Sequence, residues 1–347
     1  MKFFKQLIFI LIIFLKTETV FSKNNLFNVN NIQLEKKEKI TNNALANQAI
    51  KEGFEQLIEK ILLKEDKEKI SDLDFSSIKR LVTYYQIENI SNEQKKVELV
   101  NFSVTFDKEK IHDLFYKRGI LYSEIVKKEL YTLPVLIKNN EMFIFNNNFF
   151  YEKWNELNKD NLIEFILPLE NIEIIQNLNE NKNNLLSIDI EKLFQEYPNK
   201  NLALILIESQ KTSDKIYIAS VIEGKKITKN FKFIKQNLEE KIFNEKIIND
   251  IKIELTNLIK SENLIDIRTP SFLNVKLNIS KSSNFVELST RVKKIDLIEN
   301  IYVQDFNKDF MNLRIKYLGK LDKIINQLKN QNIDLKLINE SWIIATL

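Results

Sequence analysis

Apolar residues form an unbroken run from Leu7 to Leu15, with Lys2 and Lys5 ahead of it and the polar stretch Lys16-Thr17-Glu18-Thr19 behind. Val20-Phe21-Ser22 then puts a small residue where a signal peptidase would cut, between Ser22 and Lys23. A basic start, an apolar middle and a small-residue end predict a secretory leader over residues 1–22. A run of nine residues falls short of the roughly 20 that a bilayer-crossing helix needs, so it routes the chain outward without anchoring it. An uncut leader in a thinned membrane is the alternative, with Lys16 and Glu18 at the far headgroups.

Beyond the leader the period changes repeatedly between that of helices and that of strands. Leu26 to Leu34 predicts an opening strand. Leu45, Ala49, Ile50, Phe54, Leu57, Ile58, Ile61 and Leu62 recur at three- and four-residue steps and predict one long amphipathic helix, capped by Thr41 or Asn42. Gly53 inside it costs about 1 kcal/mol against alanine, which predicts a backbone packed closely there. A short helix at Phe75 to Val82 and a hairpin of Tyr84 to Ile90 with Val97 to Phe106, turning at Asn92-Glu93, come next. Asp107 then caps a helix that stops at Gly119.

Further on, Val135 to Lys138 and Glu141 to Phe145 predict a hairpin whose Asn139-Asn140 turn needs positive φ at both residues. A helix near Tyr151 to Leu157, a strand Leu162 to Leu167 ended by Pro168, and a helix Ile190 to Tyr197 follow. Leu202 to Ile207 has no polar face and predicts a strand buried on both sides. A hairpin turning at Glu223-Gly224 and a helix Leu238 to Ile259 complete this stretch. After Thr269-Pro270 the order is strand, helix, strand, strand, helix and closing strands, which is the split βαβ order of ferredoxin-like domains. The predicted fold class is α+β or mixed α/β, with three small domains in series: residues 23–130, 131–268 and a ferredoxin-like βαββαβ unit at 269–347.

Composition narrows the function. Both charge signs are interleaved, and removing Lys2, Lys5 and Lys16 together with Glu18 takes the chain from +4 to +2. That is too little for long-range attraction to nucleic acid or anionic lipid. Cysteine is absent, so an exported product must be stable without disulfides. The single histidine, His112, supplies neither a metal set nor a triad, and reads as a helix-surface residue. With 4 glycines in all there is no phosphate-cradling loop and no nucleophile elbow. No catalytic, cofactor-binding or metal residue is assigned, and no cofactor is expected.

Two chemical options remain. Carboxylate pairs such as Asp72 with Asp74, or Glu170 with Glu173, could flank a glycosidic bond, and Tyr84, Tyr85 and Trp154 could stack on sugar rings. Surface charge and core packing account for the same residues. Trp342 is assigned to packing. Arg118, next to Gly119, either satisfies carbonyls at its helix end or, if exposed, grips a partner carboxylate, and is the candidate partner contact.

Ala44-Leu-Ala-Asn-Gln-Ala-Ile-Lys-Glu-Gly-Phe-Glu-Gln-Leu-Ile in the first helix, Val104-Thr-Phe-Asp107, Arg118-Gly119, Leu133-Pro-Val-Leu-Ile137 and Glu164-Phe-Ile-Leu-Pro168 together resemble the bacterial envelope proteins catalogued as domain of unknown function 2066. The chain departs from that pattern at Lys60-Ile61-Leu62-Leu63 and lacks a tryptophan near Ser123. The resemblance implies export and an envelope role and names no reaction. The expected function is therefore that of a periplasmic, non-enzymatic adaptor or assembly factor that binds envelope proteins and meets the membrane only through its leader. The competing class is a wall-polysaccharide-binding or hydrolytic protein with paired carboxylates in the central domain.

Overall fold

A computed structural model describes residues 26–36, 41–90, 98–125, 128–156, 162–235, 239–279 and 283–347. Ser22, Lys23 and the rest of the predicted leader lie outside the described residues, as does the Asn92-Glu93 turn. In chain order the elements begin β1 (Asn28–Lys36), α1 (Asn42–Ile61), α2 (Lys64–Glu68), α3 (Phe75–Arg80), β2 (Val82–Ile90), β3 (Glu98–Phe106) and α4 (Lys108–Arg118). Next are β4 (Tyr122–Ser123), β5 (Lys128–Lys138), β6 (Glu141–Phe143), α5 (Phe149–Lys153), β7 (Ile163–Ile166), α6 (Ile172–Glu180), a 3-10 turn and α7 (Ile190–Leu193). Then come β8 (Leu202–Ser209), β9 (Ser213–Ile222), β10 (Lys225–Ile234), α8 (Glu240–Ser261), β11 (Leu264–Ile265) and β12 (Ser271–Asn278). The last are α9 (Ser283–Val292), β13 (Ile298–Phe306), β14 (Phe310–Tyr317), α10 (Leu321–Asn330), β15 (Ile333–Ile338) and β16 (Ser341–Thr346). Helices and several separate sheets make this an α+β protein.

One unit takes the residues up to Ile58 together with Leu73–Ile111. Its sheet has the order β1-β3-β2, antiparallel throughout. Ile32, Phe102, Val104 and Phe106 are buried on the strands, and Leu45, Ala49, Ile50, Phe54 and Leu57 on α1. The Phe54 and Phe106 rings meet at 5.9 Å. Thr41 caps α1, its hydroxyl accepting from the Ala44 N–H at 3.3 Å. A Cβ on Gly53 would stand 2.9 Å from Ile32 Cδ1 and 3.4 Å from Val104 Cβ. Side chains of the sheet, and not a neighbouring backbone, therefore require the glycine.

The second unit takes Glu59–Asp72 and His112–Leu347. Its larger sheet runs β10-β9-β8-β5-β6, with β7 also beside β5. Strand β8 lies inside this sheet, parallel to β5 and antiparallel to β9. Ala203, Ile205 and Ile207 pack with Ile247, Ile251 and other residues of α8 on one face. Leu202, Leu204 and Leu206 pack with residues of α6 and α7, such as Ile174 and Leu193, on the other. Each such side chain removed from water contributes about 1.5–3 kcal/mol, which is why a strand with no polar face is stable here. Edge strand β10 carries Lys225, Lys226, Lys229 and Lys232, a charged edge that discourages pairing with another chain.

Helix α6 was not among the predicted elements. Asn171 caps it by accepting from the Glu173 N–H, and Ile174 and Leu178 are buried beneath an asparagine-rich surface. Helix α7 is shorter than predicted, because Phe194 leaves helical geometry. Helix α5 begins at Phe149, where Asn148 caps it. The turns match their prediction: Asn139, Asn140, Glu223, Gly224 and Gly119 all have positive φ.

The second sheet of this unit has five strands in the order β13-β14-β12-β16-β15. Strand β12 is antiparallel to β14 and parallel to β16, while β15 and β16 form a hairpin. Its inner face carries Leu273, Val275, Leu277, Leu313 and Ile315, all buried, and α9 and α10 pack on the β12, β16 and β15 side of the sheet.

Candidate functional site

Arg118 lies at the end of α4, where Gly119 turns the chain with φ +61°. Its guanidinium makes a two-pronged pair with Asp72, Nη2 donating to Oδ2 at 3.1 Å. Nη1 also donates to the Lys69 carbonyl at 2.5 Å. Lys69 returns the contact, its ammonium donating to the Gly119 carbonyl at 3.1 Å. The bond from Arg118 holds the Asp72 carboxyl below the usual carboxylate range. Arg118 thus clasps the chain to itself, and the planar fork that suits a partner carboxylate is turned on Asp72.

A carboxylate depressed on folding stabilises above its unfolded value, near pH 4, and that contribution is lost as pH falls through the lower folded value. Asp72→Asn is therefore expected to flatten the fall of the melting temperature as pH drops below about 4. An acid limb unchanged from wild type would show that the clasp contributes nothing.

The other sequence-predicted acids are also held locally. Asp74 caps α3, accepting from the Ser77 N–H at 2.8 Å. Glu170 accepts from Asn146 at 3.3 Å, and Glu173 from Gln195 at 2.5 Å. Glu173 and Glu196 do line a common cleft beside Tyr197, but Glu196 is bonded by Asn171 at 3.1 Å. The cleft holds about 60 Å³, room for a few waters and well below the roughly 300–1,000 Å³ of ligand pockets. A second cavity, of about 230 Å³, is lined by Lys36, Asn42, Leu45, Ile87, Val100 and Phe102, and these residues bring no acid to it.

Trp154 is fully buried, edge-on to Phe165 at 6.0 Å, so its ring is closed to a sugar; Tyr84 and Tyr85 are exposed on β2. His112 is half-buried and not a surface residue as expected, because its ring packs on buried Tyr122 at 5.3 Å. Burial, with Glu124, Asp296 and Glu299 nearby, pushes the Tyr122 hydroxyl well above its ordinary value.

One polar cluster was missed. Ser209 donates to Asp214 at 3.1 Å, and the Lys235 ammonium lies 3.1 Å from both. Asp214 is almost fully buried. The three close the β8–β9 hairpin end with hydrogen bonds and an ion pair. Among the described residues no set of three or more acids and histidines is placed to hold a metal ion. No described helix is long and apolar enough to cross a membrane.

What the structure does gather is an exposed apolar surface on the five-stranded sheet. Of the nine residues of β13 only Ile298 is buried, and Tyr302, Val303 and Phe306 are open to solvent. Tyr302 shares the outer face with its register partner Arg314, and Val303 shares the inner face with Leu313, so the strand is uncovered on both faces. Phe310 and Phe272 are also exposed, and Arg314 lies over the Phe272 ring at 4.1 Å. Lys316 pairs with Glu299 at 2.7 Å, and Asn312 donates to Asp305 at 2.6 Å. The exposed residues divide between the two faces: Tyr302, Phe310 and Phe272 lie on the outer face with Arg314, and Val303 and Phe306 on the inner face with Leu313 and Met311, with the charged neighbours largely paired.

No family model matches this chain, and no curated protein matches it. Among solved structures, one described as the crystal structure of an uncharacterized protein is similar over 40% of this chain and 93% of its own, at 10% sequence identity and a TM-score of 0.17.

Proposed function

We propose that this chain is an exported periplasmic protein, cut between Ser22 and Lys23, that acts without catalysis by binding another envelope protein through its C-terminal module. The observation that carries this reading is β13, an edge strand exposing Tyr302, Val303 and Phe306 beside Phe310. Exposed aromatics on both faces of an uncovered edge strand, with polar neighbours around them, suit a protein-docking edge. The occupant that suits it is an apolar segment of a partner lying along the β13 edge, its side chains reaching Tyr302 on one face and Phe306 on the other.

The same proposal takes residues 23–130, 131–268 and 269–347 as three modules, the last ferredoxin-like. The run β12, α9, β13, β14, α10, β15 supports it, with β16 read as a strand inserted between β12 and β15. The resemblance to domain of unknown function 2066 fits an envelope setting.

N-terminal sequencing of the processed protein is expected to begin at Lys23. A photo-crosslinking side chain at Tyr302 or Phe306 is expected to capture one distinct envelope protein, whereas the same group at the exposed Thr290 of α9 captures none. Tyr302→Ser with Phe306→Ser should weaken capture about tenfold, as loss of central aromatic anchors does. Unprocessed chain in the cytosol, or a processed chain that crosslinks to nothing, overturns the reading.

A further inference from the structure

At the opposite edge of the same sheet, β15 differs from the other long edge strands. Strands β1, β2 and β13 carry register shifts, and β10 carries four lysines; irregularities and lysines of this kind protect an edge. The ladder of β15 with β16 runs from Ile333 to Ile338 without a shift. Its sequence, Ile-Asp-Leu-Lys-Leu-Ile, contains no proline or glycine. Among the described residues, no N–H or C=O of 333–338 bonds to anything but β16. Leu337 and Ile338 are 58% and 50% exposed.

The turn fixes which backbone groups face outward. Asn339 and Glu340 both have positive φ, at 46° and 62°, the signature of a two-residue I′ turn closed by Ile338 and Ser341 as a hydrogen-bonded pair. Alternation then turns Ile338, Lys336 and Asp334 toward β16, and leaves the N–H and C=O of Ile333, Leu335 and Leu337 pointing away from the sheet.

We infer that β15 pairs antiparallel with β15 of a second copy of this chain, about a two-fold axis at Leu335, joining two sheets into one. In that register Leu335 faces Leu335 and Ile333 faces Leu337, so the outward-pointing groups are those that bond. Asp334 faces Lys336 of the copy and Lys336 faces its Asp334. These fall at the non-hydrogen-bonded positions, where opposite side chains stand closest. Within one chain Asp334 and Lys336 already touch at 2.5 Å, so the charges gain a partner of opposite sign on each side. Leu337 is covered in the process. The contact is isologous and closes at two copies. A strand-sized interface is small, so the dimer is expected to be weak and to depend on concentration.

Sedimentation of the purified protein over a range of about 1–200 µM tests this. The wild type is expected to shift from monomer to dimer. Asp334→Lys and Lys336→Asp, each setting like charges opposite one another twice, should weaken dimerisation at least about tenfold, and the double variant should restore it. Leu337→Pro, which removes an outward N–H and leaves the β16 ladder intact, should also abolish it, with circular dichroism showing that each variant is folded. Tyr302→Ser with Phe306→Ser should leave the dimer unchanged, which separates this edge from the docking strand. A wild type monomeric throughout, single charge variants that dimerise like wild type, or a double variant that fails to recover overturns the inference.

Discussion

Asn148→Ala is expected to lower the stability of the central sheet by about 3 kcal/mol. Strand β5 is flanked along one side by β8, whereas on the other β7 pairs with 128–131 and β6 only with 136–138. The interval contains Pro134, which has no N–H to satisfy but leaves a carbonyl. Fully buried Asn148 fills that need, its amide donating to the carbonyls of Pro134 at 2.9 Å, Ile144 at 2.8 Å and Phe143 at 3.1 Å. Its oxygen accepts from the N–H groups of Phe150 and Tyr151 and so caps α5. Alanine removes a cap worth about 1 kcal/mol and strands buried carbonyls at about 1–3 kcal/mol. Asn148→Asp keeps the cap but sets carboxylate oxygen against carbonyl oxygen, so it should do no better than alanine. Urea unfolding followed by circular dichroism measures both. A loss below about 0.5 kcal/mol in the alanine variant, the level of an ordinary surface change, would refute this role for Asn148.

Local chemistry in the sequence predicted much of this fold. Asn139-Asn140 and Glu223-Gly224 announced their turns because few residues tolerate positive φ, and Leu202 to Ile207 announced a central strand because both its faces are apolar. Helix α6 escaped notice because Ile174 and Leu178 are set among asparagines, whose turn-forming tendency masks a short stripe. Gly53 was identified as a close approach, but the atoms above it belong to Ile32 and Val104, which only the β1–β3 register brings there. Long-range placement also hid the candidate surface. The residues of β13 would read the same in a central strand, and only the sheet order leaves Tyr302, Val303 and Phe306 uncovered. Ser209, Asp214 and Lys235 meet through hairpin pairing, so spacing along the chain gives no sign of their cluster. Arg118 was visible as a helix-end arginine; its pairing with Asp72 depends on where Lys69–Asp72 runs.

Trp154→Ala should cost about 3–5 kcal/mol, and that result separates a core tryptophan from a sugar platform. The indole is fully buried, edge-on to Phe165, with the Lys252 ammonium 5.5 Å from its ring and 5.3 Å from that of Phe165. The same ammonium donates to the Trp154 backbone carbonyl at 2.6 Å. That bond survives truncation, but the cation loses one of its two aromatic walls and the core around α8 gains a cavity. An exposed stacking residue would behave oppositely, leaving stability nearly intact and removing carbohydrate affinity. Because the chain has 2 tryptophans, Trp342→Phe isolates the signal of Trp154. Its emission should be blue-shifted, resist acrylamide and stay constant when wall saccharides are added. A red-shifted, readily quenched signal that responds to saccharide would place the ring at the surface and revive polysaccharide binding in the central domain; a buried signal with a large stability loss removes Trp154 as a platform and leaves the exposed aromatics of β13, and Tyr84 and Tyr85 on β2, to test for a ligand.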